Sequence, residues 1–205
     1  MSTEVQGHGT GVEPSGQFGV FIFLASEGML FGALILAYLG ARIENGPAYV
    51  AGSHELSLLL GTVNTGVLLT SSLCAALATI WAGQERPGRV RLALLATAAL
   101  GTVFLLIKGY EYWDEAGRGL LPWPEIERRD PFHPVPPTRV FFDAYLVLTG
   151  THALHLITGI GLMSGIALLW RRLKRPGHVV RLAALYWHFI DLIWVFLFPL
   201  LYLVR

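Results

Sequence analysis

Charge is scarce in this sequence. Asp, Glu, Lys and Arg together make up 14% of its 205 residues, against about a quarter in an average soluble domain. Hydrophobic residues make up 54%, more apolar surface than a water-soluble fold of this length can hide in one core. An ordinary soluble domain is therefore excluded, and lipid becomes the natural solvent. The net charge is +1, so nothing points to a nucleic-acid partner. Cysteine occurs once, as Cys74 within an apolar run. It has no partner for an internal disulfide and reads as small apolar filler. The first sixteen residues contain no Lys or Arg and lack the basic and apolar regions of a cleaved signal peptide. They read as a polar tail, followed by one domain over residues 17–205 with no internal repeat.

What the sequence does have is long apolar runs. A membrane-spanning helix needs about 20 mostly apolar residues, and five windows qualify: Gln17 to Ala41, Leu56 to Ala82, Val90 to Trp113, Val140 to Trp170 and Val179 to Leu203. The expected fold is an all-α integral membrane protein, a bundle of five transmembrane helices. The connections are short except for Asp114 to Arg139, where Pro122, Pro124, Pro131, Pro134, Pro136 and Pro137 exclude a helix and predict an extended outer loop. Trp81, Tyr112, Trp113, Trp123 and Trp170 fall near the predicted interfaces, as an aromatic belt does.

Short loops rich in Lys and Arg stay on the cytoplasmic side. Arg86 and Arg89 lie between the second and third windows, and Arg171, Arg172, Lys174 and Arg175 between the fourth and fifth. Both connections fall on the same side, which places the N-terminus in the cytoplasm and the C-terminus in the periplasm. The four clustered cations are candidates for anionic lipid headgroups.

A charged group at the centre of a spanning helix costs roughly 2.5–3.5 kcal/mol on insertion scales, so a functional role is the default hypothesis. Glu27 sits near the middle of the first window, His152 and His155 of the fourth, and His188 and Asp191 of the fifth. All five fall at similar estimated depth, close enough for them to meet in one layer. Three readings are open: an interhelical hydrogen-bond network, a metal or haem site built on His-x-x-His and His-x-x-Asp, and a proton path carried by a buried Glu27. Asn64 and Thr65 add polar groups from the second helix. Two G-x-x-x-G steps, Gly28–Gly32 and Gly161–Gly165, predict close backbone approach. Lys108 and Glu111, three residues apart near the outer end of the third helix, predict a partly solvated ion pair.

The last window reads Tyr186-Trp187-His188-Phe189-Ile190-Asp191-Leu192-Ile193-Trp194. It resembles the Tyr-Trp-His-Phe-x-Asp-x-x-Trp segment of subunit III of the haem–copper respiratory oxidases. The stretch Thr149-Gly150-Thr151-His152-Ala153-Leu154-His155 is similar to that family's T-G-x-H-x-L-H, although Ala153 stands where glycine is usual. Asn64-Thr65-Gly66-Val67-Leu68-Leu69 resembles its N-T-x-x-L-L, Ser26-Glu27 its S-E pair, and Glu111-Tyr112 an E-Y element. The matches follow the same order through all five windows. The larger members have seven helices, so the first two have no counterpart here, and Pro199 interrupts the last window.

The resemblance implies a non-catalytic subunit of a proton-pumping terminal oxidase, with cytochrome c or a quinol as donor and cytochrome c preferred. Such a subunit binds no haem, copper or other metal itself. It packs against subunit I, which carries those cofactors, in company with subunit II, and it holds structural phospholipid. Membership of a respiratory supercomplex and residence in the bacterial inner membrane are further expectations. Glu27 matches a carboxylate of the family that reacts with a hydrophobic carbodiimide. On this footing the histidines and Asp191 become packing and lipid-pocket residues rather than ligands. The alternatives are the accessory subunit of a nitric oxide reductase and, from a different class, a stand-alone membrane transporter.

Overall fold

The computed structural model describes residues 14–121 and 138–204, with side chains from Phe18 onward in the first stretch. Among these residues the fold is all helix. The elements are α1 (Pro14–Glu44), α2 (Gly46–Glu55), α3 (Leu58–Gly83), α4 (Pro87–Gly117), α5 (Arg139–Leu168), a single 3₁₀ turn (Trp170–Arg172) and α6 (Pro176–Tyr202). Five helices are long and apolar enough to cross a membrane. At 1.5 Å per residue, helices of 26 to 31 residues exceed the roughly 30 Å hydrocarbon thickness, so they tilt or project.

Two expectations need correction. The connection between the first two spanning helices is not a plain loop, because Gly46–Glu55 forms α2. Pro47 stands in its first turn, where the missing N–H costs nothing, but ten residues are too few to register as a spanning window. The third spanning helix also runs past Trp113 to Gly117. Asp114 and Glu115, expected in the loop, are therefore helical, since the prolines begin only at Pro122. The proline-rich part of the predicted outer loop, Trp123 included, and the predicted tail before residue 14 lie outside the described residues.

Helix ends follow local chemistry. Pro87 and Pro176 stand in the first turns of α4 and α6, where proline's fixed φ suits helix entry. Gly119 adopts φ 72° just after α4, and the Leu120 N–H returns to the Glu115 carbonyl at 3.0 Å, the Schellman closure that favours glycine. The last carbonyls of α6 have no partner within the helix. Tyr38 of α1 donates its hydroxyl to the Leu200 carbonyl at 2.9 Å, and Ser53 of α2 donates to the Leu201 carbonyl at 2.8 Å. α2 thus lies across one end of the bundle and caps it. At the other end the Arg91 side chain donates to the Ala167 carbonyl at 3.0 Å, which brings the two basic connections together. Arg171, Arg172, Lys174 and Arg175 stand at this end, outside the buried core.

α6 is the most deeply buried of the five spanning helices. Trp187, Trp194 and Tyr202 are buried along it at spacings of seven and eight residues, about two turns each, so they stack along one face. Each defines a layer with α3, α4 and α5. At Trp187 two glycines make room: a Cβ on Gly101 would fall 2.6 Å from its ring, and one on Gly159 would fall 3.0 Å away. At the next layer Trp194 meets Phe104, with ring centroids 4.7 Å apart. At Tyr202, a Cβ on Gly61 would come within 2.9 Å.

The predicted G-x-x-x-G steps are not close approaches within the chain. A methyl group added at Gly32, Gly161 or Gly165 would meet nothing within 4 Å, and one at Gly28 would meet only Phe189, at 3.8 Å. The pattern marks small residues, but only their neighbours decide whether smallness is used.

Candidate functional site

The predicted polar residues are not joined in one hydrogen-bonded cluster among the described residues. They separate into three groups on different seams of the bundle, because side chains three residues apart on a helix point about 60° from each other and so reach different neighbours.

The first group joins α1 to α5. His155 Nε2 lies 2.8 Å from Glu27 Oε2, with side-chain exposures of 15% and 18%, so Glu27 is only mostly buried within the chain. Nδ1 of the same ring lies 2.8 Å from the Thr151 carbonyl. A carbonyl accepts only, so Nδ1 carries a hydrogen. Nε2 and the carboxyl oxygen then need one more proton between them. Whether it resides on the ring or on the acid, the pair as a whole is neutral, which suits a low-dielectric setting. Tyr186 of α6 donates to the His155 carbonyl at 3.2 Å, and Phe31 packs edge-on against the imidazole at 5.1 Å.

The second group joins α3 to α6. Ser72 Oγ and His188 Nδ1 are 2.6 Å apart. Trp187 Nε1 donates to Ser71 Oγ at 3.0 Å, and Trp194 Nε1 donates to Thr65 Oγ1 at 3.1 Å. Asn64 and His152 are fully buried and their side-chain polar atoms have no hydrogen-bond partner among the described residues, while Asp191, 5% exposed, has Ser72 as its polar neighbour. His152 is packed between Phe104 and Trp194, with ring centroids 5.7 and 5.2 Å away. Among the described residues no three His, Cys, Asp or Glu side chains gather as a metal-binding set.

The third group is the most extensive, and only part of it is visible in the sequence. Lys108 and Glu111 do form their i,i+3 ion pair, at 2.8 Å, but the pair is not solvated: the side chains are 2% and 3% exposed. Burial follows from the α6 face, because Tyr202 and Trp194 close over the pair from that side and Tyr145 from α5. The three protons of the Lys108 ammonium all find acceptors, in Glu111 at 2.8 Å, Tyr145 Oη at 2.6 Å and Tyr202 Oη at 2.7 Å. Tyr202 donates onward to Glu111 at 2.8 Å, and Tyr145 to Glu115 at 2.9 Å. The ammonium also lies 4.4 Å from the centre of the Tyr145 ring, a cation–π distance. Beside it Tyr112, half-buried and not merely an interfacial ring, pairs with Thr149 Oγ1 at 2.6 Å, and Thr149 donates to the Tyr145 carbonyl at 2.6 Å. The signal for Glu115 was available, since Lys108, Glu111 and Glu115 recur at i, i+3 and i+7. Tyr145 and Tyr202 carried no such signal, because an aromatic in an apolar window looks like core.

The chain's helical bundle has relatives. The family model of cytochrome c oxidase subunit III matches residues 137–204, the α5–α6 half that holds His152, His155, His188 and Asp191. Cytochrome c oxidase subunit 3 of Thermostichus vulcanus is 35% identical over 193 residues, covering 91% of this chain and 86% of the relative. The subunit of the same name from a Synechocystis species is 34% identical, covering 91% and 75%. A probable quinol oxidase subunit 3 of Staphylococcus epidermidis is 28% identical, covering 92% and 88%.

Proposed function

This chain belongs to the cytochrome c oxidase subunit III family, and from that premise we propose that it is the non-redox subunit III of a bacterial proton-pumping terminal oxidase. In this role it stabilises the catalytic subunit I and supports its proton uptake, next to subunit II and structural phospholipid. The haem and copper reside in the partner subunits. The proposed donor is cytochrome c, since relatives of that name reach 35% and 34% identity, whereas the probable quinol oxidase subunits of Staphylococcus epidermidis and Staphylococcus aureus stand at 28% and 27%. A quinol oxidase is the second reading, since it keeps the same subunit over nearly the whole chain.

The observation that carries this role is the way the polar groups are spent. Glu27, His155 and His188 are engaged between helices, and the Lys108–Glu111 pair of α4 is tied to α5 and α6 through Tyr145 and Tyr202, while the outward faces bear large apolar side chains such as Met29, Leu36, Leu106, Leu154 and Phe196. A rigid bundle with an apolar flank suits lateral packing in a membrane assembly. The cationic end, with Arg171, Arg172, Lys174 and Arg175, faces the cytoplasm and anionic headgroups. The N-terminus lies on that side and the C-terminus in the periplasm of the inner membrane.

Affinity purification of the tagged chain from native membranes tests the role. The expected result is co-purification with a haem-bearing polypeptide and oxygen consumption by the preparation, with no haem absorption from the separated chain. A chain that purifies alone and moves protons or solute in liposomes overturns it in favour of a transporter.

A further inference from the structure

The enclosed cluster around Lys108 does not balance its charge. Lys108 supplies one cation, Glu111 and Glu115 supply two carboxyl groups, and all three side chains are buried. With both acids ionised the enclosure carries one negative charge too many, and an uncompensated buried charge is strongly destabilising. The other cation facing Glu115 is Arg118, which is committed elsewhere. Its guanidinium pairs with Glu55 of α2 at 3.3 Å and with Asp114 at 3.0 Å, and all three of these side chains are exposed.

The two acids are not equivalent. Glu111 accepts from the Lys108 ammonium and from the Tyr202 hydroxyl, each at 2.8 Å, and hydrogen bonds donated to a carboxylate favour its ionised form. Glu115 accepts once, from Tyr145 to Oε1 at 2.9 Å, and its Oε2 has no partner among the described residues. The donors around it are spent. The three ammonium protons go to Glu111, Tyr145 and Tyr202. The Tyr145 hydroxyl hydrogen goes to Glu115 and that of Tyr202 to Glu111. Thr149 gives its hydrogen to the Tyr145 carbonyl, so Tyr112 donates to Thr149. A buried carboxylate oxygen without a donor costs more than a neutral O–H in the same place. Among the described residues no metal-binding set gathers, so a proton is the cation that balances the count.

We propose that Glu115 is a proton-binding site, its enclosed carboxyl group holding one proton on Oε2 and so neutralising the Lys108–Glu111–Glu115 cluster. The step is a proton transfer from water to a carboxylate, with no other bond made or broken. The groups that face Glu115 are Lys108, Glu111 and Arg118 of its own helix and Tyr145 of α5. Tyr145 joins the acid to Lys108, and Lys108 joins Tyr202 of α6 and Glu111. The site therefore stands at one end of a continuous hydrogen-bond chain across α4, α5 and α6. It goes beyond the oxidase role and uses only contacts within this chain.

Infrared absorption of the chain, purified from native membranes with the partners it retains, tests this at neutral pH. Wild type is compared with Glu115→Gln and with Glu111→Gln. The expected wild-type minus Glu115→Gln difference contains the C=O stretch of a protonated carboxylic acid, moving to lower frequency in deuterated water. The expected Glu111→Gln difference contains carboxylate stretches instead. Carboxylate stretches lost in Glu115→Gln, or the acid band lost in Glu111→Gln, overturn the proposal. Thermal unfolding is the second readout, because an amide replaces a neutral acid but not the ionised partner of an ammonium. Glu115→Gln is expected to keep the wild-type melting temperature, and Glu111→Gln to lower it by roughly 10 °C. A loss in Glu115→Gln as large as that in Glu111→Gln, or failure of Glu115→Gln to assemble, also overturns it. Neither readout depends on a haem partner, so a chain that purifies alone refutes the oxidase role and leaves this result intact.

Discussion

Lys108 Nζ and Glu111 Oε2 stand 2.8 Å apart with both side chains almost completely enclosed, and every proton of the ammonium has an acceptor. A buried pair of this kind adds little over a well-packed apolar one, but removing one member strands the other. Lys108→Met is therefore expected to destabilise the protein by about 3–5 kcal/mol, leaving Glu111 and Glu115 facing each other without a cation. The double variant Lys108→Met, Glu111→Leu is expected to fall closer to the wild type than Lys108→Met alone. Thermal unfolding in detergent across the mutant cycle measures both, and additive losses would show that the two side chains do not act as a unit.

Gly101 and Gly28 make opposite predictions from the same residue type. A methyl group at Gly101 collides with the Trp187 ring, whereas one at Gly28 reaches only ordinary contact with Phe189 at 3.8 Å. Gly101→Ala is expected to cost about 1–3 kcal/mol through overpacking. Gly28→Ala and Gly32→Ala are expected to be neutral or slightly stabilising, since alanine is the better helix former. Melting temperatures of the three single variants compare them directly. Equal losses at Gly28 and Gly101 would count against Trp187 as the packing centre.

Glu27 and His155 share one proton, so a neutral amide can take the place of the acid. Glu27→Gln is expected to preserve assembly, because the glutamine NH₂ donates to His155 Nε2 as the protonated pair does. It is also expected to abolish labelling of the chain by a hydrophobic carbodiimide, which needs a carboxyl group. Mass spectrometry of the labelled peptide checks this. Undiminished labelling would assign the reactivity to another buried acid, with Glu115 the next candidate.

Glu85 closes α3 with φ 53°, and the Arg86 N–H returns to the Trp81 carbonyl at 3.1 Å. A side chain in the left-handed region costs about 1–2 kcal/mol relative to glycine. Glu85→Gly is expected to raise stability by about 0.5–1 kcal/mol after the larger entropy loss of glycine is subtracted. A lower melting temperature would show that Glu85 makes a compensating contact at the basic end.

The spanning helices were legible because lipid imposes a single long apolar run on each, and the residues that departed from it (Glu27, Lys108, His152, His155, His188, Asp191) stood out for the same reason. Their partners were not legible. Whether His155 meets Glu27 while His152, three residues away, meets Trp194 depends on which helix lies on each side of α5. Tyr145 and Tyr202 were invisible as polar residues, since a phenol in an apolar run declares its hydroxyl only when an acceptor is placed beside it.

Sequence by itself determined that this is a five-span helical membrane protein, which intramembrane residues are polar, and which family they resemble, because hydropathy and motif spacing are local properties of the chain. Tertiary structure alone decided that Lys108 and Glu111 are buried, that Gly101 and Gly159 rather than the G-x-x-x-G pairs admit a large ring, and that the polar residues divide among three seams. Those outcomes depend on the rotation and register of neighbouring helices around α6, and these are set by packing between segments far apart in the chain.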